Sequence, residues 1–257
     1  MKAVLAALLL LATSASAGAP GGAGAARIVS LNLCTDQYLM LLAPGRAVAL
    51  SPLARDPALS VVAAQAARVA WVRPDAEAVL ALRPDLVLAG PFGAQTTLAV
   101  LARHGVPILR TGLPQDFAAI RGETRRFAAA LGASGAGERL IAGMDARLAA
   151  IAPHPRLEVL ALEPRGYVPG EGSLEQNVIL AAGFTPAPRF GRLGLEAIAA
   201  HPPALIVAAV APDYPALATD LLRHPALAAI PRRTWRPADL ACAGPWTAEA
   251  AAALAAP

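Results

Sequence analysis

The sequence predicts an α/β chain of two lobes joined by a helical connector. Three observations predict it. Short apolar runs of strand character alternate with helical stretches, which is the pattern of a mainly parallel sheet. The alternation stops over residues 116–154, which carry helical periodicity and no strand signal. A helix–proline–strand unit is also written twice. Residues 77–89 read EAVLALRPDLVLA and residues 196–208 read EAIAAHPPALIVA, identical at six of thirteen positions. The copies stand 119 residues apart, one in each predicted lobe: 27–115 and 155–257.

Length and composition allow this. The 257 residues are 56% apolar and 16% charged, enough apolar content for two cores and too little charge for a disordered chain. Lys2 gives a short basic start, residues 3–12 form an apolar run too short to span a bilayer, and Ala15-Ser16-Ala17 supplies an A-x-A site. Residues 1–17 therefore read as a signal peptide cut after Ala17, and Gly/Ala/Pro-rich residues 18–26 as a flexible tail. The formal net charge is +4, carried almost wholly by scattered arginines, with Arg125-Arg126 and Arg232-Arg233 the only doublets. No stripe of positive charge suits a nucleic acid.

The elements follow in order. Residues 27–31 read as the first strand, and Asn32 to Asp36 as a polar turn into a helix ending at Leu42. Residues 47–50 and 68–71 give further strands. Pro74-Asp75 starts a helix, Pro84 ends it, and residues 86–89 are a buried strand. Residues 95–104 are helical and 106–109 strand. Asp116 opens the connector, with Phe117, Ile120, Phe127 and Leu131 on one face. Gly132, Gly135 and Gly137 interrupt it. A second helix carries Leu140, Met144, Leu148 and Ile151 and closes at Pro153 and Pro155. Strands over 157–162 and 205–210, with helices over 174–182, 196–200, 216–223 and 247–256, complete the second lobe.

Catalytic patterns are weak. The four histidines show no pairing with a nucleophile, residues 170–173 lack the G-x-S-x-G elbow, and no H-E-x-x-H or phosphate loop occurs. A secreted cysteine- or serine-dependent hydrolase is the reading from another class; the sequence favours a chain that is no enzyme. The scattered histidines also speak against a dedicated metal site.

Two cysteines, Cys34 and Cys242, occur in a chain that reads as exported. Three readings stand: a disulfide between them, free thiols of which one touches a bound metal centre, or ordinary buried cysteines.

Residues 27–31 with their turn, the unit at 77–89 and its echo at Glu196, taken in this order, resemble the periplasmic solute-binding proteins that serve importers of vitamin B12, iron–siderophore complexes and haem. The resemblance covers the whole mature chain. It implies a ligand cleft between the lobes, a monomer, delivery of a metal chelate to the transmembrane subunits of an ABC permease, and no cofactor beyond the cobalt or iron the ligand carries. It also implies that Glu77 and Glu196 dock onto permease arginines. Physics offers a second reason for both, since a carboxylate is favoured in a first helical turn.

Within such a fold the ligand faces the loops that follow the strands. That places Leu33, Cys34, Leu53, Arg55, Trp71, Phe92, Arg165, Tyr167 and Trp246 at the expected cleft, together with Arg73. Aromatic walls suit planar corrinoids and porphyrins, and arginines suit carboxylates. Trp71 and Tyr167 match aromatic contacts of the B12-binding branch, whereas Leu33 and Leu53 stand where that branch has a proline and a tyrosine. A corrinoid is the first expectation, an iron–siderophore the next and haem the third.

Overall fold

The computed structural model describes residues 24–152, 155, 157–209 and 220–256. The expected signal peptide, most of the tail, Pro153, His154, Val210 and the start of the helix expected over 216–223 lie outside the described residues.

The first lobe alternates strand and helix: β1 (Ile28–Ser30), α1 (Leu33–Leu42), β2 (Ala47–Leu50), α2 (Ala63–Ala66), β3 (Ala70–Trp71), α3 (Ala76–Ala81), β4 (Leu86–Ala89), α4 (Gln95–Arg103) and β5 (Ile108–Arg110). The strands form one parallel sheet in the order β3-β2-β1-β4-β5. Side chains alternate across a strand, so each strand serves two cores. Ile28, Leu50, Leu86 and Leu88 face α1 and a core around Tyr38 and Phe127. Val29, Ala49, Val87 and Ala89 face the other way, onto Val79 of α3 and Leu98 and Leu101 of α4. The last strand begins two residues later than the sequence suggests. The end of the expected loose tail is also tied down: Ala25 is buried, and the backbone N–H groups of Ala26 and Arg27 both donate to Asp85 Oδ2 at 2.9 Å.

The connector is a helix pair, α5 (Phe117–Ala130) and α6 (Ser134–Ala149). Asp116 caps α5 by accepting from the Ala119 N–H at 2.7 Å. The break between the helices lies at Gly132 alone, and Gly135 and Gly137 sit inside α6, contrary to the reading of all three as interruptions. Gly137 has a packing reason: a Cβ there would lie 2.4 Å from the Ala128 Cβ, so its absence lets the helices close together. The pair touches both lobes. Phe127, Ala128 and Leu131 join the first lobe's core, while Phe117, Leu148 and Ile151 pack against the second.

The second lobe comprises β6 (Glu158–Ala161), β7 (Tyr167–Val168), α7 (Leu174–Ala181), β8 (Thr185–Pro186), β9 (Gly191–Arg192), α8 (Leu195–Ala200), β10 (Leu205–Ala209), α9 (Asp220–Arg223), β11 (Arg232–Trp235), α10 (Pro237–Leu240) and α11 (Ala248–Ala255). Its parallel sheet runs β11-β10-β6-β8, and β7 pairs antiparallel with β9. Again each face has its own core: Val159, Val207 and Leu254 on one, Leu160, Ile198 and Ile206 on the other.

The duplicated unit is the same object in each lobe. α3 and α8 each span six residues, Val79 and Ile198 are fully buried at equivalent positions, and Pro84 and Pro203 separate helix from strand. Both following strands, β4 and β10, are interior strands of their sheets.

Candidate functional site

All strands of each main sheet are parallel, so the loops that follow them gather at one end of each lobe. In the first lobe these loops are held firmly. After β1, Asn32 Oδ1 accepts from the Cys34 N–H at 2.9 Å and caps α1. Gly90, after β4, passes so close that a Cβ would lie 2.6 Å from Asn32 Nδ2. After β2, the Ser51 N–H and hydroxyl donate to Asp36 at 3.1 and 2.5 Å. Burial pushes the Asp36 carboxyl up to about 7, against the opposing pull of hydrogen bonds from Ser30 and Ser51. After β5, Glu123 accepts from the Thr111 hydroxyl at 2.9 Å and the Gly112 N–H at 2.7 Å, and pairs with Arg126 at 2.7 Å. Burial alone would raise Glu123, but these donors outweigh it and hold its carboxyl below the usual range.

This rigid frame carries an exposed apolar rim. Leu53 follows β2, Trp71 ends β3, Phe92 follows β4 and Leu113 follows β5, all four substantially exposed, with Phe92 the most open at 74%. Arg73 lies with its guanidinium carbon 6.0 Å from the Trp71 ring centroid, and Arg55 is anchored on the Val69 carbonyl. In the second lobe the turn after β6 puts Arg165 at φ 63°, and Gly166 is required next, since a Cβ would lie 2.4 Å from the Leu193 carbonyl oxygen. This turn presents Arg165 and Tyr167, the latter 52% exposed.

Between the lobes lies a cavity of about 190 Å³, bordered by Cys34, residues 111–115, Glu175 and Cys242. A neighbouring hollow of about 210 Å³ shares Glu175 and adds Glu163. Burial raises the Glu163 carboxyl, and the charge of Glu175 adds to the effect. Cys34 and Cys242 are joined by a disulfide, with Cα atoms 5.2 Å apart. That removes the reading of free thiols, and with it Cys34 as a thiolate contact for a metal.

Two residues expected at the cleft are elsewhere. Leu33 is 7% exposed and packs in the first lobe's core, because the first turn of α1 lies over the sheet. Trp246 is 8% exposed: its indole N–H donates to the Cys242 carbonyl at 2.8 Å and its ring joins the same core. Leu53, Arg55, Trp71, Phe92, Arg165 and Tyr167 are all solvent-facing at strand ends. Leu113 escaped the sequence reading; a lone leucine among Thr, Gly, Pro and Gln in a post-strand loop was the signal. Glu77 and Glu196 are both exposed in the first turn of their helices, and neither forms an ion pair among the described residues. Among the described residues no group of His, Cys, Asp and Glu could hold a metal ion, and no helix is long and apolar enough to cross a membrane.

The sequence model of a family described as periplasmic binding protein matches residues 28–231, which takes in the first lobe's sheet, the connector and the second lobe's sheet as far as β11. The chain belongs to the periplasmic binding protein family. Membership implies a periplasmic location and a role in substrate binding and transport. The fold recurs in solved structures. The periplasmic heme-binding protein RhuT from Roseiflexus sp. RS-1, in apo form, is 26% identical over 89% of this chain and 96% of its own, with a TM-score of 0.69. A periplasmic heme binding protein from Pseudomonas aeruginosa is 22% identical over 90% and 91%, with a TM-score of 0.71. An ABC-type Fe3+-hydroxamate transport system protein from Saccharomonospora viridis is 19% identical over 88% and 91%, with a TM-score of 0.63. No curated protein matches the chain.

Proposed function

We propose that this periplasmic binding protein is the substrate-binding component of an ABC importer and captures a metal chelate between its lobes, 27–115 and 155–257, on either side of the connector at 116–154. The observation that carries this reading is the apolar rim. Four parallel strands in succession each end in, or are followed within three residues by, an exposed large apolar side chain, Leu53, Trp71, Phe92 and Leu113, with Tyr167 presented after the first strand of the second lobe. A soluble chain has no folding reason to expose such a set together, and a broad hydrophobic ligand covers it. Arg55, Arg73 and Arg165 beside the rim suit peripheral carboxylates.

Among chelates, haem gains support from the similarity to proteins described as heme-binding, and the Tyr167 phenol is an oxygen donor of a kind that haem iron takes. A corrinoid is supported by Trp71 and Tyr167 as flat walls, and an iron–siderophore by the arginines. Export with cleavage after Ala17 delivers the mature chain to its compartment. The exposed Glu77 and Glu196, one per lobe, then serve as the two charges that orient the protein on its permease.

Visible spectra and tryptophan fluorescence of the purified mature chain, titrated with hemin, cyanocobalamin and ferric hydroxamates, test the reading. Saturable binding of one class at micromolar concentration supports it and names the ligand. Absence of response to all three sinks it.

A further inference from the structure

A hollow of about 380 Å³ opens between α6 of the connector, the end of α1 and the segment leading into α11. It shares no residue with the cavities at Cys34 and Glu163, and its size is one that takes small molecules. Two rows of α6 line it. Arg139, Gly143 and Arg147 stand at i, i+4 and i+8, along one face of the helix and over a length of about 12 Å. Leu140 and Met144, one position on, form the apolar row beside them. Trp246 closes the hollow from the other side, and its indole N–H is already bonded to the Cys242 carbonyl, so the ring offers apolar surface only. Gly143 keeps the first row open. A Cβ there would meet nothing within 4 Å, and glycine is a poorer residue than alanine inside a helix, so neither packing nor propensity accounts for it. The ends of the row differ in charge. Arg147 is neutralised by Glu249 at 2.9 Å, whereas Arg139 is exposed and forms no ion pair among the described residues.

We propose that this hollow is a second binding site, separate from the cleft, and that it takes a medium-chain acyl monocarboxylate. The acid group lies at Arg139, whose guanidinium has a charge to offer and no partner to answer it. The acyl chain runs over Gly143, where no side chain stands in its way, and covers the apolar surface of Met144 and Trp246. Its far end meets the Arg147–Glu249 pair, which is neutral as a unit. A second carboxylate at that end would face Glu249, so a dicarboxylate of the same length is disfavoured. An uncharged tail of the same length leaves Arg139 unanswered. The proposal does not depend on what the cleft between the lobes holds.

Isothermal titration calorimetry of the mature chain tests the site with three probes below their micelle-forming concentrations: decanoate, decanedioate, and decyl maltoside, which has the same tail and no charge. Saturable binding of one decanoate per chain is expected, about tenfold or more tighter than either other probe. Affinity for decanoate should fall about tenfold or more in Arg139→Gln, and likewise in Gly143→Leu, which fills the open row. Trp71→Ala, at the cleft, should bind decanoate as the parent does. Absence of saturable decanoate binding, equal affinity for decyl maltoside, or unchanged affinity in Arg139→Gln overturns the proposal. Loss of binding in Trp71→Ala overturns it too, by placing the acid in the cleft. If Gly143→Leu fails to fold by circular dichroism, Arg139→Gln, altered at an exposed position, decides alone. Co-sedimentation with phosphatidylglycerol vesicles that Arg139→Gln abolishes, without decanoate binding, would give this face to a lipid surface and reject the free acid.

Discussion

The indole of Trp246 packs 5.4 Å from the ring of Tyr38 at a 59° tilt, although the two residues lie at opposite ends of the described chain. Tyr38 in turn stacks on Phe127 at 4.8 Å, with the rings 10° from parallel. One aromatic cluster thus joins the first helix, the connector and the last segment. Trp246→Ala is expected to lower stability by about 3–5 kcal/mol, the usual cost of emptying a packed aromatic site. Urea unfolding of the oxidised protein measures it; a loss below about 1 kcal/mol would mean that the cluster does not bind the segment.

Two glycines on one helix should respond in opposite directions. Gly137→Ala must push the α5–α6 pair apart, since its Cβ would meet that of Ala128 at 2.4 Å, and a cost of about 1–3 kcal/mol is expected. Gly143→Ala meets nothing within 4 Å and should stabilise by about 0.5–1 kcal/mol, as an alanine does in an open helical position. Thermal melts of both variants beside the parent check the signs.

Asp36 makes stability depend on pH. Its carboxyl titrates near 7 in the folded chain because burial disfavours the charge, against 3.8 ordinarily. Between these values the folded state holds more protons than the unfolded one. Stability is therefore full below about pH 4, falls as pH rises to about 7 and then levels, by a few kcal/mol on the order-of-magnitude scale of such shifts. Asp36→Asn keeps an acceptor for the Ser51 N–H and loses the titration. Its urea midpoint should show a smaller decline between pH 4 and 8 than the parent; an unchanged slope would assign the dependence to other groups.

Glu77 and Glu196 are the part of the repeated unit that the fold needs least. Both are exposed, while Val79 and Ile198 beside them carry the packing. Glu77→Arg with Glu196→Arg should leave chelate binding and melting temperature near the parent's. It should weaken binding to the cognate permease about tenfold or more, with loss of uptake. Unaltered permease binding would leave only the helix-start preference as the reason for the pair.

Much of this fold was legible because it is written in periodicity. The i, i+4 spacing of Leu140, Met144 and Leu148 and the caps at Asn32, Asp75 and Asp116 gave helices where they stand. β11 was missed because Arg232 and Arg233 mask it. Their guanidinium groups donate to the carbonyls of Leu222, Leu227 and Leu254, so the arginines serve the fold although they read as surface charge. β7 and β9 are two residues each, too short for any alternation to show. At the site, Trp71, Phe92 and Tyr167 are exposed near strand ends as the sequence reading expects, since loops after parallel strands gather at one end. Leu33 and Trp246 went astray because position in a loop does not fix which way a side chain points. For Trp246 that direction depends on a crossing to the other lobe, which no local pattern records.

The most direct test of the central claim is co-elution of a chelate with the mature chain on gel filtration, read by its visible band against protein absorbance. One chelate class is predicted to co-elute at one per chain and to be lost, or weakened about tenfold or more, in Trp71→Ala and Tyr167→Ala, which remove large contact areas from opposite lobes. Failure of hemin, cyanocobalamin and ferric hydroxamates alike to co-elute, or equal retention by both alanine variants, would contradict capture of a metal chelate between the lobes.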